Sequence, residues 1–391
     1  MRPCLRVCAL SLPIFCVAAL APGQVSSPPK ADRTHGEDEP LQNCRALTLT
    51  AKQDLPPYGE LAISRDGKTL AFLVSASNKS EVHFVDREDK TEGIVSLAAG
   101  GTARTHFAST PKLGFSPDGN WLTVAEGSHL WGVSVPGGKI LFDFSLASEP
   151  SQFFGRLSIS NISVAAEVRE LNAHVDSLHR ILLLDREGER QKSYTAASLS
   201  SDYIRGLTLS PEGKLLALLT DNGKNRQSKI LILDSTGSLV REIHVSQSSD
   251  IRWLANGRTL LIKGSRLEEI DTRTGKSVNK LTEHLNWVED PMYSGNTLEA
   301  DPTDKYVAAL FYHYNPVTRF FDMGPEDPGW EFRLYQRGTD HALCRHKWDA
   351  TSMMLASNQT LIAIRTEQVF ARKPPQQRRI AFIYRISNSG H

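Results

Sequence analysis

His341, Cys344 and His346 form an H-x-x-C-x-H string, a spacing that suggests nitrogen and sulfur donors gathered on one metal ion. Side chains alternate along a strand, however, so Cys344 and His346 share one face and His341 points to the other. Three-way ligation is spoiled, and no metal is expected. Asp86, Asp185, Asp234 and Asp271 each stand where an apolar run meets a polar turn, and together they resemble a carboxylate cluster. Their recurrence at one place in a repeated phrase points instead to turn chemistry, because an Asp side chain accepts hydrogen bonds from amides two residues ahead. No G-x-S-x-G elbow, Walker loop, H-E-x-x-H helix or calcium loop is present. Neither a catalytic residue nor a cofactor is expected from these patterns.

The other concentration of chemistry is aromatic. Phe107, Phe153, Phe154, Trp287, Tyr293, Tyr312, Tyr314, Arg319, Phe320, Phe321 and Trp330 fall in long segments at 100–111, 146–155, 281–295 and 312–330. Aromatic and Arg side chains give large contact area with a polar handle, the usual composition of a binding hot spot. Any single ring has the ordinary alternative of pinning a loop to what lies beneath it. As a group they are the candidate partner-binding residues, joined by the basic segment 371–379.

The elements that must carry these segments are read from a repeat. AISRDGKTLAFLV (62–74), GFSPDGNWLTVA (114–125), TLSPEGKLLALLT (208–220) and WLANGRTLLIK (253–263) are one phrase: an apolar run, a tight turn with Gly, a second apolar run. Each reads as a β-hairpin. Weaker copies stand at Asn161, Thr303 and Asn358. The anchors Asp66, Asp118, Asn161, Glu212, Asn256, Thr303 and Asn358 are then 52, 43, 51, 44, 47 and 55 residues apart. A third run follows each hairpin and a fourth usually follows that. Seven copies of a four-strand unit at this period predict an all-β chain, a seven-bladed β-propeller with four-stranded blades.

Through SPDG and SPEG followed by LA or LT, residues 45–391 resemble the TolB-like and YVTN-like members of the broad WD-repeat propeller superfamily. The likeness departs from true WD repeats, since Trp348-Asp349 lies out of register, and it lacks the α/β domain that TolB carries before its propeller. It implies the fold and says little about activity. It also implies that loops joining second to third strands, and fourth strands to the next blade, gather on one face. Those are the long aromatic segments of this chain. The expected function is an exported, non-enzymatic scaffold that binds a protein or peptide through that long-loop face. The rival is a propeller enzyme, lactonase-, quinoprotein- or cyclase-like, with its site at the central channel. His106, His284 and His313, all in the long segments, keep that rival open.

Lys plus Arg total 45 against 44 Asp plus Glu, with no charge run that could track a phosphate backbone, so nucleic acid is not an expected partner. Arg2 and Arg6 precede an apolar stretch from Val7 to Leu20 and then small residues, the layout of a secretory signal over 1–23. Residues 24–43, rich in Pro, Ser and charge, are expected to be a disordered linker, with the propeller over 44–391. No transmembrane segment is expected after signal removal, the compartment is expected to be periplasmic or extracellular, and the protein is expected to be a monomer. Signal removal leaves Cys44 and Cys344, a candidate disulfide in an oxidising compartment. The last unit ends after three runs, and CRALTLTAK (44–52) is the strand available to complete it. Cys44 begins that strand and Cys344 falls near the outer strand of the sixth unit. Strand direction decides whether the sulfurs meet, and the sequence leaves it open.

Overall fold

The computed structural model describes residue 41 and residues 44–55, 60–75, 79–88, 92–97, 112–146, 152–170, 180–195, 197–199, 203–222, 227–246, 248–264, 266–281, 298–312, 330–339, 341–348, 350–369 and 376–387. All lie in the compact unit Glu39–His391. The described residues form seven four-stranded antiparallel sheets in a ring, a seven-bladed β-propeller. Blade 1 comprises Leu61–Ile63, Thr69–Ser75, Ser80–Asp86 and Glu92–Leu97, from the channel outward. Blades 2 to 6 repeat this order, with innermost strands Lys112–Phe115, Gln152–Ile159, Tyr203–Leu209, Ser248–Trp253 and Leu298–Ala300.

Burial across each sheet follows from the ring. Second strands such as Thr259–Gly264 are buried at every position, because a neighbouring blade covers each face, and they read as continuous apolar runs. Outer strands such as Lys276–Lys280 are mostly exposed and polar. The core is therefore a series of apolar layers between blades, for example Leu122, Val124, Trp131 and Val133 of blade 2 against Ala71, Leu73, Val82 and Phe84 of blade 1.

The repeated turn has a specific hydrogen-bond logic. Ser64, Ser116, Ser160 and Ser210 begin it; in blades 1 and 2 the hydroxyl donates to Asp66 and Asp118 at 2.6 Å. The same oxygen accepts the amide that opens the second strand, from Thr69 at 2.9 Å, Trp121 at 3.1 Å and Leu215 at 3.1 Å. Asp301 takes this role in blade 6, accepting the Tyr306 amide at 2.6 Å. Gly119 and Gly67 close the turn at φ of +73° and +74°, a left-handed conformation that L side chains disfavour. A side chain at Gly67 would also overlap Asn358 of blade 7, whereas the space beside Gly119 is open.

These turns also tie blades together. The Asp118 amide donates to Asn161 Oδ1 at 2.9 Å, and the Ala255 and Asn256 amides donate to the Asp304 carboxylate at 2.7 and 3.2 Å. The Ser357 amide of blade 7 donates to the Arg65 carbonyl of blade 1 at 2.8 Å. Asp86, Asp185, Asp234 and Asp271 behave as expected, each accepting the amide two residues on, from Glu88, Glu187, Thr236 and Arg273 at 2.8 to 3.1 Å.

Blade 7 consists of Ala350–Ala356, Thr360–Val369 and Gln376–Ile386, completed on its outer edge by Leu47–Leu55. The register runs from Leu47↔Ile386 to Leu55↔Arg379, and the Ser387 amide donates to the Ala46 carbonyl at 2.9 Å. The two ends of the propeller thus share one sheet. Cys44 and Cys344 are joined by a disulfide with Cα atoms 5.4 Å apart, across the seam between blades 7 and 6. Leu41, Cys44 and Leu47 are buried in the same cluster as Phe332, Cys344, Phe382 and Tyr384.

Candidate functional site

Strand direction assigns the connections to faces. Tyr312 pairs with Trp330, and Trp330 with Trp348, at the end of blade 6 where its innermost strand begins. The strand ends that bracket 282–297 and 313–329 therefore lie on one face of the ring. So do the ends bracketing 98–111, because Leu97 pairs with Ser80 and Ser80 with Ser75 at the matching end of blade 1.

The candidate residues read from the sequence divide as follows. Phe107, Trp287, Tyr293, Tyr314, Arg319, Phe320 and Phe321 lie outside the described residues, as do His106, His284 and His313. Tyr312 and Trp330 are strand ends on the long-loop face. Phe153 is half-buried in the innermost strand of blade 3, paired with Arg169. Phe154 is a core residue and is removed from the partner-binding group: it is 1% exposed and packs edge-on against Phe144, ring centroids 6.4 Å apart. The segment 146–155 is shorter as a connection than its composition suggests, because the strand already starts at Gln152.

The basic segment needs a similar correction. Residues 376–379 are strand, and Arg378 Nε and Nη2 donate to the Asp54 carboxylate at 3.0 and 3.2 Å. Among the described residues no group of three His, Cys, Asp or Glu could hold a metal. Cys344, in a disulfide, has no thiolate to offer beside His341 and His346.

The innermost strands of all seven blades line a central cavity of about 300 Å³. Its charged residues were not singled out by sequence reasoning, yet they occupy a fixed place in the repeat. Glu60, Lys112, Arg156 and Asp250 each stand four residues before the first turn residue, Ser64, Ser116, Ser160 and Leu254. Two residues closer to the turn is a second layer: Ala62, Gly114, Ser158, Thr208, Arg252, Glu299 and Met354. The signal was a charge intruding into an apolar run, as in GELAIS and DIRWLA. β-Bulges fall beside the first layer in blades 3, 4, 5 and 7, between Phe154/Leu157, Ile204/Gly206, Ser248/Asp250 and Ala350/Ser352. A bulge re-aims the side chains that follow it, which is a recurrent feature beside functional sites.

Pairing in the cavity is uneven. Arg252 forks onto Glu299, with nitrogen to oxygen distances of 2.9 and 2.8 Å, and Arg379 Nη2 donates to Glu60 at 3.5 Å. Asp250 Oδ1 accepts the Ile251 amide at 2.9 Å. Behind the wall, Glu167 accepts from Arg169 Nη2 at 2.9 Å and from the Arg156 amide at 3.2 Å. The Arg156 guanidinium and the Lys112 ammonium make no hydrogen bond to another described residue. Burial lowers the Arg156 pKa against the attraction of Glu167 and Asp250, while the side chain stays cationic. Burial raises Glu60 against Lys112 and Arg379. Burial also pushes Glu299 up to about 7, opposed by Arg252 and reinforced by Asp250.

No family model and no curated protein matches the sequence. Among solved structures, a chain of the mitotic checkpoint complex is 14% identical with a TM-score of 0.54, covering 95% of this chain and 99% of that one. Hydrazine synthase of Kuenenia stuttgartiensis is 18% identical with a TM-score of 0.48, covering 80% of this chain and 94% of that one. At 14% identity the likeness to the checkpoint-complex chain is one of fold. Fold and topology define the chain as a β-propeller scaffold, seven blades around a charged central channel.

Proposed function

We propose that this propeller is exported and acts without catalysis, holding a protein or peptide on the face where its innermost strands begin. The observation that carries the reading is topological. Within a rigid ring, the strand ends bracketing the long aromatic segments 282–297 and 313–329 open on the same side. Loops presented by a rigid scaffold are a common place for recognition. The secretory-type start of the sequence and the resemblance to TolB-like and YVTN-like propellers belong to this reading, that of a monomer in the periplasm or outside the cell. Among the described residues no helix is long and apolar enough to cross a membrane.

The test is recovery of a stoichiometric partner by cross-linking to an exported, tagged chain, repeated with 313–329 replaced by a short Gly-Ser link. Recovery that disappears while the melting temperature holds supports the reading. Unchanged recovery from the replaced chain contradicts it.

A further inference from the structure

We propose that the central channel holds a small doubly charged oxyanion, a phosphate group or a dicarboxylate, against blades 2 to 4. The anchor is Arg156. In the β-bulge of blade 3, Gly155 and Arg156 together stand opposite the single residue Glu167. A side chain at Gly155 would overlap Glu167 and Arg169, so the backbone passes close to both, and Arg156 lines the channel. Glu167, 1% exposed, accepts the Arg156 amide at 3.2 Å and Arg169 Nη2 at 2.9 Å. The Arg156 guanidinium makes no hydrogen bond to another described residue, and the like charges of Arg169 and Arg205 oppose it. A guanidinium desolvated without an acceptor is unfavourable, and an oxyanion offers it a bidentate partner.

Further donors line the channel on the same and adjoining blades. Lys112 of blade 2 also makes no hydrogen bond within the described fold. Two residues nearer the turns, Ser158 Oγ accepts the Leu209 amide at 2.8 Å and Thr208 Oγ1 accepts the Trp253 amide at 3.3 Å. Each hydroxyl proton is left to donate. The carboxylates of the channel, by contrast, are already engaged. Arg379 donates to Glu60, and Arg252 holds both oxygens of Glu299. Asp250 accepts the Ile251 amide and has a further interaction within the fold. Glu60 beside Lys112 and Asp250 beside Arg156 temper the positive charge there, so recognition rests on the unused donors. Two cations and two hydroxyls want acceptors, which matches an anion with two charges and several oxygens. A plain cation meets Lys112 and Arg156 and finds no unengaged carboxylate, so it is rejected. The cavity of about 300 Å³ admits a molecule of this size.

The test is isothermal titration calorimetry of the full exported chain. The probes are inorganic phosphate and succinate, with acetate and butylamine as singly charged controls. At least one dianion is expected to bind about tenfold or more tighter than either control; phosphate as the tighter probe assigns a phosphate group, and succinate a dicarboxylate. Arg156→Met keeps the apolar stem and should weaken that binding by about tenfold or more, the loss of a charge-assisted pair. Its melting temperature without ligand should hold or rise, since the guanidinium makes no hydrogen bond within the described fold. Arg156→Lys should retain part of the affinity that Arg156→Met loses, and Lys112→Met should weaken binding independently. The proposal is overturned if neither dianion binds the folded protein, if acetate or butylamine binds as well as the better dianion, or if Arg156→Met and Lys112→Met both leave the affinity unchanged. Replacing 313–329 bears on the outer face, so the two readings fail separately.

Discussion

Glu299 is 5% exposed, and its carboxylate is forked by Arg252 beside the like charge of Asp250. Its pKa near 7 against 4.5 for the free side chain carries a definite sign for stability. Below pH 4.5 the group is protonated in folded and unfolded chains alike. Between 4.5 and 7 the unfolded chain releases the proton first, so stability falls as pH rises, by about 3 kcal/mol at the limit. Glu299→Gln keeps an acceptor for Arg252 and removes the ionisation. Urea unfolding from pH 5 to pH 8 should show the wild type losing stability relative to the variant. Parallel curves would contradict the assignment. The charge of this residue was visible in the sequence, but its partner and its burial were not, because Arg252 comes from the preceding blade.

At the scale of the element, the strands were legible because one turn chemistry recurs. A Ser hydroxyl, an Asp or Asn and a Gly at positive φ mark the same joint in several blades, and Asp86, Asp185, Asp234 and Asp271 mark the next one. Less legible were strands whose extent is set by distant pairing. Gln152 to Phe154 are strand because they face Arg169 and its neighbours, and residues 376–379 because they face 366–369. Their composition, QFF and QQRR, suggested connections. The strand Leu47–Leu55 was legible from its alternation, whereas the direction that brings Cys44 to Cys344 was not. The cysteines are 300 residues apart, and in the loop-entropy picture their bond stabilises the fold by about 5 kcal/mol. Cys44→Ser with Cys344→Ser is expected to lower the midpoint of denaturant unfolding markedly, while the intact chain resists mild reductant. Equal midpoints would remove the bridge from the account of stability.

At the scale of the molecule, the ring makes each blade the lid of its neighbours, which is why buried second strands, inter-blade turns and a lined channel appear together. Both functional readings depend on closure. If Leu47–Leu55 did not complete blade 7, the Gln376–Ile386 strand would present an open edge, the Cys44 cluster would be solvated, and neither a common loop face nor an enclosed charged channel would follow. Repeat spacing revealed the number of blades, whereas the channel charges became readable as two layers once the turns were aligned in space. Native-state hydrogen exchange of the strand Leu47–Leu55 tests closure most directly. The expected result is protection matching that of Gln376–Ile386, the two segments opening with the same free energy. Exchange of Leu47–Leu55 at the rate of an unfolded peptide, with Gln376–Ile386 still protected, would contradict it.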